Sequence, residues 1–189
     1  MKSIMRLLLR VTLTLAAAAV FAQDAKRDYK TEHERKGKNN NERAAMNIKE
    51  NINVVREIFS AIERRDERRF LELLHSDFEI HWPPSLPYGG TSRGLKHGEP
   101  TWIETWIPLQ PTEAERRMNP RVVAAGEDEV VVLWRQRGVT PAGDRFDGEV
   151  LGLYQLREGK LARAQMFYFD TTVLLGFLAG VRSGETMAQ

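Results

Sequence analysis

Apolar residues recur along this chain with two periods, and the change of period marks its elements. Ile48, Ile52, Val55, Ile58, Phe59 and Ile62 follow one another at helical spacing, which lines side chains along one face of an α-helix. Asn47 with Glu50 three residues on makes a capping-box-like start. The spacing therefore predicts an amphipathic helix from Asn47 to about Arg64. Asp66 can cap a short second helix carrying Phe70, Leu71, Leu73 and Leu74. The period then falls to two. Phe78, Ile80 and Trp82 alternate with Glu79 and His81, which predicts a strand, and Pro83-Pro84 stops it. Residues 83–98, rich in Pro and Gly, predict a loop. A third helix fits residues 99–107, with Trp102, Ile103, Trp106 and Ile107 on adjoining faces.

After Pro111 the pattern predicts strands at 113–124, 129–139, 145–157 and 161–169. Turn chemistry separates them at Gly126 to Asp128, at Pro141 to Asp144 and at Glu158-Gly159. The tail from Ser183 is expected to fray. Helices first and strands afterwards argue one α+β domain over residues 48–182, an antiparallel sheet packed on three N-terminal helices. There is no internal repeat.

The first 47 residues carry no such pattern. Lys2, Arg6 and Arg10 form a positive region ahead of the uncharged, largely apolar stretch Val11 to Phe21. Val20-Phe21-Ala22 puts small residues where a signal peptidase reads. Residues 1–22 therefore read as a secretory signal cut before Gln23, and the protein as exported, periplasmic or secreted. The alternative, an uncleaved anchor, needs a longer apolar run, about 20 residues. Residues 23–47 mix both charge signs around Asn39-Asn40-Asn41 and read as a disordered linker.

Charge first points to nucleic acid and then away from it. The 189 residues carry a formal net charge of +2 and a sequence pI near 9.0. The signal contributes three bases and no acid, and the linker seven bases and five acids. Residues 48–189 then hold 18 basic and 21 acidic residues. The basicity belongs to the leader and the linker, so a nucleic-acid partner loses its main support. With no cysteine, disulfides, thiolate metal sites and a cysteine nucleophile are excluded. His75, His81 and His97 lack paired ligand spacing, so no metal is expected. The stretch from Gly89 to Gly94 lacks the ending of a P-loop, and there is no Gly-x-Ser-x-Gly elbow.

The last hairpin offers candidate chemistry. A two-residue turn at Glu158-Gly159 pairs Arg157 with Lys160. Counting outward pairs Leu153 with Ala164, Leu151 with Met166, Glu149 with Tyr168 and Asp147 with Asp170, all on one face. Acids gathered beside the Tyr168 hydroxyl would repel, and one would hold its proton more tightly. That arrangement suits acid–base work. The plainer reading makes the cluster a hydrated rim, with Asp170 capping the segment Thr171–Leu178. A one-residue slip would reverse every face. His81, out of phase with the apolar strand residues, is either a proton carrier or an ordinary sheet histidine. Trp82, Tyr88, Trp102, Trp106, Trp134 and Met166 would suit an apolar or cyclic ligand, with Tyr88 at the mouth of a pocket. Core packing is the other reading for most of them. Arg116, Arg117 and Arg121 read as a solvated face or as ion-pair partners of the acidic hairpin.

The opening helix, the phrase His75-Ser76-Asp77-Phe78-Glu79-Ile80 and the loop from Pro87 to Gly94 resemble the nuclear transport factor two-like superfamily. So does the ending from Arg157 to Leu161 and from Phe167 to Asp170. Within it, the chain resembles the SnoaL-like polyketide cyclase group. The resemblance implies a cone-shaped, barrel-like fold: a curved sheet over helices, an apolar pocket in its mouth and a homodimer formed through the sheet. It implies Asp170 as acid–base, assisted by Tyr168 or Glu149, with His81 as a further partner. The expected reactions are isomerisation, cyclisation or dehydration of a small apolar molecule, without a cofactor. Steroid isomerases of the superfamily carry an aspartate before a proline just after the first strand; here that residue is Trp82. A second expectation, of a different class, is a non-catalytic periplasmic module for ligand binding or dimerisation.

Overall fold

The computed structural model describes residue 38, residues 40–94 and residues 102–186, the last five by backbone alone. The chain divides into two units, Met1–Met46 and Asn47–Gln189. In the first, residues 38 and 40–46 are helical, and Lys38 Nζ lies 3.9 Å from Glu42. The linker was expected to be unstructured to Asn47. Its described end is instead exposed helix, built from Glu42, Arg43, Ala44, Ala45 and Met46. Good intrinsic helix formers need no apolar stripe to be helical. The expected signal and the rest of the expected linker lie outside the described residues.

In the second unit, residues 47–64 are helical (α1). Asn47 is thus not a helix start, and the pairing with Glu50 caps nothing. The stripe read from the sequence is the buried one: Val55, Ile58 and Phe59 are in the core, with Ile52 and Ile62 against it. Each such side chain stabilises the fold by roughly 1.5–3 kcal/mol. The helix is closed by Arg65 in the left-handed region, φ 57°, with Asp66 N donating to Ala61 O at 2.8 Å. The Arg65 guanidinium then donates to the carbonyls of Ile107 and Gln110, at 3.0 and 2.7 Å. Asp66 caps α2 (Glu67–Glu72) by accepting from Arg69 N at 3.0 Å, as the sequence predicts.

The remaining elements are β1 (Leu74–Trp82), β2 (Gly90–Arg93), α3 (Trp102–Trp106), a 3-10 turn (Ile107–Leu109) and α4 (Glu113–Arg116). They are followed by β3 (Arg121–Ala125), β4 (Glu129–Val139), β5 (Arg145–Arg157), β6 (Lys160–Tyr168) and α5 (Thr171–Thr186). Three elements differ from the sequence reading, the last of them α5, which runs on as helix to Thr186 where fraying was expected from Ser183. β2 lies in the expected loop, because Gly90, Thr91, Ser92 and Arg93 have no apolar alternation and form a strand by pairing with β1. The expected strand from 113 opens as helix α4. Thr112 and Glu115 close a reciprocal capping box around it, and β3 begins only after Pro120.

The six strands form one open, curved sheet in the order β2-β1-β6-β5-β4-β3, packed on helices. β1 runs parallel to β6, and the other pairings are antiparallel. The sheet expected to be wholly antiparallel is therefore mixed, since β1 enters beside the last strand rather than beside its neighbours in sequence. The inner face carries Phe78, Ile80, Trp82, Val130, Val132, Trp134, Val150, Tyr154, Ala164 and Met166, all buried. The outer face carries Glu79, His81, Arg135, Arg137, Asp147, Glu149 and Arg163, all at least partly exposed.

Candidate functional site

The geometry of the site turns on one extra residue in β6. Arg157 pairs with Lys160 across the Glu158-Gly159 turn, as read from the sequence, and Leu156 pairs with Leu161. Gln155 then pairs with Arg163, so Ala162 is a β-bulge. Beyond it the register is one residue later than a flush hairpin. Leu153 faces Gln165, Leu151 faces Phe167 and Val150 faces Tyr168. The expected pairs of Leu153 with Ala164, Leu151 with Met166 and Glu149 with Tyr168 do not form.

That shift dissolves the expected acid cluster. Tyr168 turns inward, while Asp147 and Glu149 stay on the outer face. Asp147 accepts from Arg135 Nε at 2.7 Å and from Arg137 Nε at 3.2 Å, and Glu149 lies 3.7 Å from Arg135. Partial burial would raise the Asp147 carboxyl; the two arginines outweigh it and hold it below its ordinary value. These ion pairs come from β4, not from Arg116, Arg117 and Arg121. Arg116 instead donates to the carbonyls of Glu63 and Pro111, and Arg117 pairs with Glu113 at 2.9 Å.

Asp170 follows the last strand and is exposed. Its Oδ1 accepts from the backbone N–H of Thr172 and of Val173, each at 3.0 Å. It is the N-cap of α5, the plainer of the two readings, and does not reach the inner face. His81 lies on the outer face, as its phase predicts. Its Nε2 is 2.8 Å from Glu79 Oε1 and its Nδ1 is 3.0 Å from Thr91 Oγ1. Glu79 also accepts from Arg93 at 3.3 Å and lies 3.6 Å from Arg163. The bond with His81, above all, holds the Glu79 carboxyl below its ordinary value.

The aromatic candidates converge. Trp82, Trp102, Trp106, Trp134 and Met166 line an inner cavity of about 60 Å³, together with Phe59, Met118, Gln136, Tyr154 and Ala164 among others. Neither the His nor the carboxylates of the described residues line it; Arg116 is its charged member. Tyr88 is not at a mouth. It is buried edge-on against Trp82, with ring centroids 5.3 Å apart. Gly138 allows Trp106 to approach the sheet, since a Cβ there would sit 2.9 Å from the indole. Gly152 likewise leaves room for the Tyr154 ring, which a Cβ would meet at 2.5 Å.

A polar line runs through this apolar interior. Trp106 Nε1 donates to the Tyr88 hydroxyl at 2.9 Å. The Tyr88 and Tyr168 hydroxyls interact, and the Tyr168 hydroxyl donates to Gln136 Oε1 at 3.3 Å. Burial pushes the hydroxyls of Tyr88, Tyr154 and Tyr168 upward from their ordinary values, so all three stay protonated near neutral pH. Gln136 is the member that sequence reasoning missed. The signal was present, because Val130, Val132 and Trp134 put position 136 on the inward phase. A buried donor of the lining, Trp82 Nε1, has no hydrogen-bond partner among the described residues.

A second, open groove of about 1130 Å³ is lined by charged residues that include Glu50, Glu79, Arg93, Glu127, Arg157 and Arg163. It is larger, but its walls are polar, whereas the inner cavity is lined mostly by apolar and aromatic side chains. No group of three His, Asp or Glu among the described residues could hold a metal ion; His97 lies outside them.

Comparison with known proteins agrees with the fold. Residues 55–164, more than half of the chain, match the model of the SnoaL-like domain. No curated protein matches the sequence. Among solved structures, TerC co-crystallised with polyporic acid is 21% identical with a TM-score of 0.55, covering 69% of this chain and 98% of its own. An NTF2-like protein of unknown function from Burkholderia pseudomallei is 23% identical with a TM-score of 0.54, covering 68% and 97%. A candidate SnoaL-like polyketide cyclase from Jannaschia is 18% identical with a TM-score of 0.52, covering 71% and 92%. At these identities the likeness is one of fold. With its open curved sheet, its helices on the inner face and the match over residues 55–164, the chain belongs to the SnoaL-like domain family and has the NTF2-like fold.

Proposed function

We propose that this protein binds a small, largely apolar molecule in the inner aromatic cavity and acts as a binding module rather than an acid–base enzyme. The carrying observation is the lining itself. It gathers tryptophans, Phe59, Met118 and Met166, with Gln136 as a buried polar group and no carboxylate or imidazole from the described residues. Asp170, on which the catalytic reading rested, caps a helix at the surface. TerC, of the same fold, was crystallised with polyporic acid, which is in keeping with a small-molecule occupant. The residues at the N-terminus support export, and the outer sheet face supports pairing of two copies, since it carries half-exposed Val123 and Phe167.

The test is native mass spectrometry of the protein purified from its own host, compared with Ala164→Leu. Ala164 is 1% exposed and lines the cavity, so the longer side chain fills space at a cost of about 1–3 kcal/mol. A bound small molecule on the wild type, absent from the variant, is the expected result. Turnover of that molecule, lost in a variant of an outer-face acid, would overturn the binding-module reading.

A further inference from the structure

The inner cavity, at about 60 Å³, is too small for the molecule proposed to occupy it. An apolar cavity of roughly 150 Å³ accepts benzene, and small-molecule sites usually run to about 300–1,000 Å³. A ring compound therefore enters only if part of the wall moves.

Three parts of the fold make most of that wall, and they are held with different firmness. Trp82, Trp134 and Met166 stand on strands hydrogen-bonded into one sheet. Phe59 and Ile62 stand on α1, whose apolar stripe is packed into the core. Trp102 and Trp106 stand on α3, which has five residues and runs into a 3-10 turn of three. Helices that short do not hold their shape alone in water. Their place depends on tethers from other parts of the chain.

One tether comes from Arg65. Its φ of 57° is the left-handed backbone that glycine adopts freely and other residues adopt at a cost. The end of α1 is closed by backbone bonds, from Arg65 N to Ile62 O at 3.0 Å and from Asp66 N to Ala61 O at 2.8 Å. The Arg65 side chain takes no part in that closure. Its Nη2 donates instead to the carbonyls of Ile107 and Gln110, 42 and 45 residues away in the chain. From Gln110 onward the backbone is fixed by other bonds. Gln110 Nε2 donates to Arg137 O at 3.1 Å, Arg116 Nε to Glu63 O at 3.2 Å and Met118 N to Glu63 Oε1 at 2.7 Å. Releasing Arg65 therefore loosens the stretch before Gln110 and leaves the stretch after it in place. The loosened stretch carries Trp102 and Trp106 out of the wall, and the bond from Trp106 Nε1 to the Tyr88 hydroxyl breaks as it leaves.

We infer that residues 102–109 form a door to the inner cavity, pivoting at Gln110, and that Arg65 is the latch that holds it shut. This rests on the reading of the cavity as a binding site.

Hydrogen exchange tests the latch without any ligand, on the ¹⁵N-labelled protein as its host produces it. The Trp106 indole N–H exchanges with D₂O when the door opens. The amides of Val132 and Val150, in the ladder of β4 and β5, exchange when the sheet opens. In the wild type, after correction for intrinsic rates, the indole should exchange faster than those amides. In Arg65→Gly and Arg65→Asn, both suited to the left-handed backbone, the indole should exchange about tenfold faster again, with the two amides unchanged. Should one variant not fold, the other is read in the same way. A wild-type indole that opens only with the sheet would overturn the door, whatever the variants do. Equal acceleration at all three sites, or none at Trp106, would overturn the latch. Entry is read with toluene, whose association rate by NMR line broadening should rise in each variant by the factor seen in exchange. An unchanged association rate beside faster Trp106 exchange would overturn the door's role in entry. Toluene binding to none of the proteins, with the exchange results as expected, would overturn the binding reading and leave the latch standing.

Discussion

Asp170 and Glu79 show how residues with the same charge take different work from their surroundings. Asp170 sits where a strand gives way to a helix, and its carboxylate accepts from two free N–H groups of the first turn. Such a cap contributes about 1 kcal/mol. Asp170→Ala should lower the urea midpoint by that order and leave ligand affinity unchanged, whereas Asp170→Ser should retain most of the stability. A fall in affinity without loss of stability would return Asp170 to the site. Glu79 works through its neighbours His81, Arg93 and Arg163. Its carboxyl is held below its ordinary value in the fold, so its contribution is present above the unfolded pKa, about 4.3. That contribution is lost as pH falls through the lower, folded value. Urea midpoints of wild type and Glu79→Gln should therefore differ at pH 6 and converge towards pH 3. A difference that does not change with pH would show that the ion contacts contribute nothing.

At the scale of the element, Ala162 decides which side chains of β6 meet which of β5. Because the bulge adds one residue after Leu161, the strand keeps Leu161, Ala164 and Met166 on the inner face. A flush hairpin counted outward from the turn pairs the far half one residue off, and that count is what placed Tyr168 among acids. Deleting Ala162 removes the residue without moving either neighbour across the sheet. The deletion variant should therefore fold, with a native near-ultraviolet circular dichroism spectrum and a loss within the ~0.5–3 kcal/mol of ordinary substitutions. A spectrum without tertiary signal would show that the bulge itself, rather than the alternation around it, specifies the register. α4 carries a related lesson. Thr112 and Glu115 are a capping box at the spacing the sequence displays, yet the apolar count alone assigned the region to a strand.

For the whole molecule, the split of charge matters more than its total. The excess of bases over acids that raises the pI lies in the first 47 residues, and the family domain carries an excess of acids. If the leader is removed on export, the intact mass of the protein from its host should correspond to a chain beginning at Gln23. The same sample should give a dimer mass by light scattering at micromolar concentration. A full-length mass or a monomer would overturn the respective proposal. Much of the fold was legible in the sequence because burial imposes a period. The stripe of α1, the alternation along β1, β4 and β5 and the turn at Glu158-Gly159 each follow from local geometry. So do the cap at Asp66 and the inward set of tryptophans. What the sequence could not decide depends on pairing between strands. The parallel seating of β1 against β6 is settled by hydrogen bonds between segments far apart in the chain, and the strand β2 and the bulge at Ala162 by pairing with the adjacent strand. No local period encodes those. The candidate site divides along the same line. The inward set of aromatics follows from pattern, whereas the polar partners depend on register, where a single residue exchanges the interior of a sheet for its surface.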